Sequence, residues 1–318
     1  MVKIAILGCG TIGQGVYDII TDRMNDGVLS VERVLDLRDL TGYIADGIQT
    51  RDFADIENDP GISVVVETMG GVKPAYDFVK ASLIAGKHVV TSNKALVDAC
   101  GTELLKIAAE HGVHFFFEAS VGGGIPVIRA LTDSLGGDKV LKIEGILNGT
   151  TNYILTAMEK DGTGMEEVLK KAQELGYAER DPSADIEGYD TARKIAILAS
   201  IMTGRKVSYE DVPTQGITGI SLEDIKKAAS CGRRIKLIGR AELKEDGSLN
   251  ISVSPEEVGE DSMFFGVDGA YNAVITESRD TGKLMFFGSG AGRYPTAAAI
   301  IADILHTQDP VSGKLLWE

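Results

Sequence analysis

The chain has 318 residues, enough for two domains of ordinary size, and 44% of them are hydrophobic. Acidic residues outnumber basic ones by 47 to 32, a formal charge of −15, which argues against a surface built to neutralise nucleic-acid phosphates. No apolar run approaches about 18 residues, and the stretch after Lys3 is too short for a secretory signal, so neither a membrane span nor export is expected.

Residues 1–130 alternate strand and helix signals. The run KIAIL at 3–7 is followed by glycines and then by a helical pattern from Ile12 toward Met24. Residues 34–37, 63–67, 88–91 and 113–118 read as further buried strands, with helical spacing at 74–84 and 102–110. β-Branched runs alternating with helices indicate a parallel sheet covered on both faces. Right-handed crossovers then give a doubly wound layout.

Glycine is unusually common at 38 residues, and it clusters. The run Gly8-Cys9-Gly10-Thr11-Ile12-Gly13 follows the first strand directly and opens a helix, the context that gives a G-x-G-x-x-G pattern meaning. Gly8 permits the tight turn, Gly10 lets a pyrophosphate approach the backbone, and Gly13 allows close helix–strand packing. Thr11 and Ile12 supply helix N-terminal amides for the phosphate charge. The competing reading is a glycine-rich turn in an unrelated α/β protein; the strand–turn–helix context favours a bound dinucleotide. NAD and NADP both stay open. The ribose-binding acid belongs at the end of the second strand, where Asp36 and Asp39 are candidates, yet Arg38 between them suits a 2′-phosphate.

After Gly124 the pattern changes. Residues 140–147 read as a strand, followed by helices near 150–160, 165–175 and 188–203. Strands near 233–242, 249–254, 272–278 and 283–287 come next. Helices and strands without strict alternation indicate a second, α+β domain. The expected division is 1–130, then 131–292, with 293–318 returning to the first domain through a small-residue helix at 296–305. Cys9, Cys100 and Cys231 lack Cys-x-x-Cys spacing, so no zinc site or disulfide framework is expected, and the compartment reads as reducing and cytoplasmic.

Five stretches carry sharper signals: TSNKA at 91–95, EASVGGGIP at 118–126, GILNGTTNYIL at 145–155, ELGYAERDPSADIEGYDTARK at 174–194 and GAGRYPTA at 290–297. With the glycine turn, they make the chain resemble the homoserine dehydrogenases over nearly its whole length. The resemblance implies an α/β Rossmann nucleotide-binding domain plus an α+β dimerisation and catalytic domain, in a homodimer. It also implies the NAD(P)-dependent interconversion of L-homoserine and L-aspartate 4-semialdehyde, in threonine, methionine and isoleucine biosynthesis.

The alcohol must lose a proton as its carbon loses hydride, so a base has to sit beside the hydroxyl. The resemblance assigns this role to Lys194, with Asp190 four residues earlier on the same helix face. Alone, the pair reads as an exposed helix ion pair, and a carboxylate opposes a base role. Lys94, which the resemblance places at the substrate, is the cation that would offset it; two lysines would also stabilise alkoxide-like charge. Thr91, Asn93 and Lys94 are implied on the cofactor side. Glu179 is implied to hold the substrate ammonium, while Asp185 and Asp190 position the hydroxyl end. Gly149 and Thr150 open a helix whose amides suit a polar group, and Tyr177 is expected to act through its backbone. Some family members bind a monovalent cation, and the matching positions for sodium are Glu118, Val121, Gly123 and Ile125; a glycine-rich hinge without an ion is the alternative. His88, His111, His114 and His306 fall outside these motifs, so no transition metal is expected.

Two rivals stand beside this reading. One is another oxidoreductase of the same fold acting on a related semialdehyde. The other is a non-catalytic dinucleotide sensor, which the retained Lys94, Asp190 and Lys194 speak against. The first strand begins at residue 3 and the chain ends soon after GAGRYPTA, so a monofunctional enzyme without a fused kinase or regulatory domain is expected.

Overall fold

The apolar run after Met1 becomes the centre of a parallel sheet. In the computed structural model, which describes residues 1–24 and 27–318, β1 (Val2–Leu7) is wholly buried from Ile4 to Leu7. It is followed by α1 (Thr11–Asp18), β2 (Leu29–Leu35), β3 (Gln49–Thr50), α2 (Ala54–Glu57), β4 (Val64–Glu67) and α3 (Ala75–Ile84). Then come β5 (His88–Thr91), α4 (Lys94–Glu110) and β6 (Phe115–Phe116). The strand order is β3-β2-β1-β4-β5-β6, and every pairing is parallel. The chain leaves β1 to one side for β2 and returns on the other side at β4. The carboxyl ends of β1 and β4 therefore form the topological switch point, where open α/β sheets bind ligands.

Among the strand limits that differ from the sequence pattern, two have a clear local reason. The second strand runs from Leu29 to Leu35 rather than over 34–37, because the Asp36 side chain draws the Arg38 amide into a turn just after it. The pattern at 113–118 shortens to Phe115–Phe116, since Glu118–Ser120 tightens into a 3₁₀ turn.

The chain divides into two compact units, Met1–Gly124 with Ala291–Glu318, and Ile125–Gly290. The second contains α5 (Val127–Arg129), β7 (Val140–Ile146), α6 (Gly149–Asp161), α7 (Met165–Glu174), α8 (Ser183–Ile186) and α9 (Tyr189–Thr203). After these come α10 (Leu222–Ser230), β8 (Arg234–Leu243), β9 (Leu249–Val258), β10 (Tyr271–Ser278) and β11 (Gly282–Ser289). The strands form an antiparallel sheet in the order β11-β10-β7-β8-β9. Helix α9 lies directly on it at Gly239, where an added Cβ would come 3.1 Å from Thr191 and 3.2 Å from Ile195. Helix α10 lies outside the sequence-based expectation, although Leu222, Ile225 and Ala228 recur at helical spacing and Ser221 and Asp224 form a reciprocal capping box at its start.

The last helix, α11 (Arg293–His306), belongs to the first unit. It packs on α1 at Gly15, where a Cβ would lie 2.7 Å from the Arg293 carbonyl. Its buried Asp303 accepts the Glu118 amide at 2.9 Å. No described helix is long and apolar enough to cross a membrane.

Candidate active site

In the first unit the chain turns sharply after β1. Gly8 has φ +87°, which only glycine adopts readily, and a Cβ on Gly13 would sit 2.0 Å from the Gly8 carbonyl oxygen. The helix start is thus pressed against the strand end. A Cβ on Gly10 would meet nothing within 4 Å, so open space lies over the start of α1. No side chain caps α1 and no acid occupies its first turn, which leaves its amides suited to an anion. A dinucleotide pyrophosphate fits this turn.

Asp36 reaches the same turn from the end of β2. Its carboxylate accepts the Cys9 amide at 2.8 Å, and Arg38 through its amide, Nε and Nη2 at 2.9, 3.0 and 2.7 Å. The Arg38 side-chain bonds above all hold Asp36 well below the usual carboxylate range. Asp39 instead accepts both the amide and the hydroxyl of Thr41, closing its own turn. Cys9 is buried, and burial followed by the Asp36 charge pushes its thiol up to about 11, so it is no nucleophile at neutral pH.

Glu67 is not singled out by any sequence motif. It ends β4 at the switch point and is completely buried. One oxygen accepts the Met69 and Gly70 amides at 2.8 and 3.3 Å and the Asn93 carboxamide at 3.4 Å; the other accepts the Thr91 hydroxyl at 2.5 Å. Burial pushes its carboxyl up, against the pull of these four donors. The side chains of Thr91 and Asn93 are therefore turned toward Glu67. Asn93 also donates to the Gly71 carbonyl at 2.6 Å and caps α4 by accepting the Leu96 amide at 3.2 Å; Lys94 is the first residue of that helix. The one signal in the sequence is an acid closing an otherwise apolar strand.

In the second unit, Lys194 and Asp190 lie one turn apart on α9, both buried. The Lys194 Nζ is 2.7 Å from Asp190 Oδ2 and donates to the Leu147 carbonyl at 2.7 Å. Asn148 is the residue that organises the cluster. Its oxygen caps α6 by accepting the Thr151 amide at 2.8 Å, and its nitrogen donates to Asp185 at 2.7 Å and Asp190 at 2.9 Å. An asparagine before a helix is a readable N-cap, but its second job is not. Burial, then the Asp190 charge, pushes the Asp185 carboxyl up, while Asn148 opposes. Thr150 donates to the Tyr177 carbonyl at 2.7 Å; the Tyr177 ring is exposed beside Tyr153, with centroids 4.7 Å apart. Glu179 stays exposed in the loop before α8, where its carbonyl accepts from Gln173.

Along residues 118–125, the Glu118 side chain is buried and Gly122 and Gly123 take positive φ. The Ile125 carbonyl accepts the Val127 amide at 2.8 Å. Among the described residues no group of three or more His, Cys, Asp or Glu side chains could hold a metal ion.

A switch point with open helix amides over a glycine turn belongs to the dinucleotide-dependent oxidoreductases. A buried lysine beside a carboxylate is what such an enzyme needs to move the proton that accompanies a hydride. Residues 126–305 match the family model described as homoserine dehydrogenase, and residues 8–118 match the one described as homoserine dehydrogenase, NAD binding domain. The chain is 42% identical over 315 residues to the homoserine dehydrogenase of Synechocystis sp., covering 96% of this chain and 73% of that one. To the Bacillus subtilis enzyme it is 40% identical, covering 96% and 72%. Among solved structures, the homoserine dehydrogenase from Thiobacillus denitrificans superposes with a TM-score of 0.90 at 38% identity, covering 97% of this chain and 74% of that one. A hyperthermophilic archaeal homoserine dehydrogenase in complex with NADPH gives 0.82 at 27% identity, covering 96% and 97%. The chain belongs to the homoserine dehydrogenase family, the NAD(P)-dependent oxidoreductases that interconvert L-homoserine and L-aspartate 4-semialdehyde.

Proposed function

We propose that Lys194 carries the proton in this reaction, and the observation behind it is the burial of its ammonium against Asp190 and the Leu147 carbonyl. When bound, the nicotinamide cofactor supplies or accepts the hydride. Both acceptors at 2.7 Å suit a protonated lysine, so Lys194 is poised to donate to the aldehyde oxygen as the semialdehyde is reduced. In the reverse direction it takes the hydroxyl proton. Asp190 orients it, and Asn148 fixes Asp190 and Asp185 together. Asp185 and Asp190 hold the hydroxyl end of the substrate against Lys194. Gly149 and Thr150 at the start of α6 contribute polar contacts, with Tyr177 held through its carbonyl. Glu179, from its exposed loop, is the carboxylate for the ammonium, and Lys94 at the start of α4 is the cation near the reacting oxygen.

For the cofactor we propose NAD over NADP. The Asp36 carboxylate is nearly buried at 8% and bound to the glycine turn, where it reads a ribose hydroxyl and repels a 2′-phosphate; Arg38, 60% exposed, can swing away. We further propose sodium at Glu118, Val121, Gly123 and Ile125, and a homodimer through the antiparallel sheet, where Tyr271 and Phe287 are exposed side by side. No disulfide joins Cys9, Cys100 and Cys231, which fits the proposed cytoplasmic setting. Homoserine oxidation measured with NAD and NADP separately, in sodium and in potassium buffers, on wild type and Lys194→Ala, tests these readings together. Wild-type turnover in Lys194→Ala would overturn the central one.

A further inference from the structure

From the hydrogen bonds around Glu67 we infer that it is a positioning residue for Lys94, acting through Asn93 and the start of α4. This rests on the proposed role of Lys94. Three segments meet at its carboxylate: the turn after β4 through the Met69 and Gly70 amides, the end of β5 through the Thr91 hydroxyl, and the cap of α4 through the Asn93 carboxamide. The bonds interlock. The Asn93 amide donates to the Thr91 oxygen at 2.9 Å, so that hydroxyl has its own proton for Glu67. The Asn93 oxygen accepts the Leu96 amide, which fixes where α4 begins, and Lys94 follows Asn93 as the first residue of that helix.

A carboxylate this deeply buried is costly unless every lone pair is used, and here four donors converge on it. A neutral isostere would not serve equally, because a glutamine nitrogen would present a donor to the Thr91 hydroxyl and reverse it. The acid therefore does more than fill space. It sets the direction of the hydrogen bonds that run from the switch point to the cap of α4, one residue before Lys94. A misplacement of about 1 Å in a reacting group costs on the order of a hundredfold in rate, which is the scale such a tether protects.

The experiment is a double-mutant cycle with Glu67→Gln and Lys94→Ala on the full chain, measuring kcat and KM for homoserine and the NADH dissociation constant by fluorescence titration. Glu67→Gln should lower kcat at least about tenfold, with NADH affinity changed less than about threefold. Glu67→Asp, which keeps the charge, should recover part of that loss. In the Lys94→Ala background, Glu67→Gln should cost nothing further. Multiplicative losses in the double variant, or a Glu67→Gln enzyme with kcat within twofold of wild type, would overturn the tether while leaving Lys94 in place. Wild-type turnover in Lys94→Ala alone would overturn the Lys94 reading and the tether with it. If Glu67→Gln does not fold, Glu67→Asp takes its place in the cycle, and multiplicative losses with Lys94→Ala again overturn the tether.

Discussion

Lys194 and Asp190 face each other at 2.7 Å across one turn of α9, with side chains 11% and 5% exposed. An exposed pair at this spacing contributes a few tenths of a kcal/mol, whereas a buried one resists the loss of either partner. Burial is what separates a helix-surface ion pair from a group fit for proton transfer.

Lys194→Ala should lower kcat by about 10²–10⁴-fold, the usual contribution of a general acid–base group. NADH affinity should stay near wild type, because Lys194 belongs to the second unit and the glycine turn to the first. Steady-state kinetics together with a fluorescence titration check both halves, and retention of more than about a third of turnover sinks the assignment.

Asp185 gives a pH dependence whose sign is fixed. Its carboxyl is raised by burial and then by Asp190. The folded chain therefore holds that proton more tightly than the unfolded chain does. The stability so gained is complete below the ordinary value of 3.8 and is lost as pH rises through the raised one. Urea melts of wild type and Asp185→Asn at about pH 4 and pH 7 should show wild type losing ground to the variant on the alkaline side. An unchanged difference between the two pH values would contradict this.

Asp36→Ala should weaken NAD more than NADP, since it removes the ribose acceptor and the charge opposing a 2′-phosphate. Arg38→Ala should leave the preference for NAD intact. A selective loss of NADP binding in Arg38→Ala would instead show that Arg38 meets the phosphate. Isothermal titrations with both cofactors decide between them.

Two glycines should separate folding from binding. Gly13→Ala places a Cβ 2.0 Å from the Gly8 carbonyl, a backbone clash that should lower Tm. Gly10→Ala has room in the protein alone, so its Tm should hold while cofactor affinity falls. Equal Tm values for the two variants would refute the close-packing role of Gly13.

The ammonium contact is tested by comparing homoserine with 4-hydroxybutyrate on wild type and on Glu179→Gln. Loss of the amino group should cost wild type at least about tenfold in kcat/KM, since an unpaired charged group costs upward of about 1–3 kcal/mol. Glu179→Gln should shrink that discrimination. A coupling near zero, with a large one for Asp185→Asn, would move the ammonium to Asp185.

Whatever is local in the chain is legible from the amino acids. The glycine spacing at 8–13 prescribes a turn that only glycine can make. The i, i+4 interval from Asp190 to Lys194 puts both on one helix face, and small residues at 296–305 prescribe close helix packing. These are consequences of backbone geometry and helical period, so sequence determines them alone. What the tertiary structure decided are the contacts between residues far apart in the chain: Cys9 with Asp36 across 27 positions, Glu67 with Thr91 across 24, and Asn148 with Asp185 and Asp190 across 37 and 42. Each depends on which strand ends or helices become neighbours and on how deeply they are buried. That Asp36 rather than Asp39 reaches the glycine turn follows only once β2 lies beside β1, and Glu67 becomes more than the end of a strand only once β5 is paired to β4.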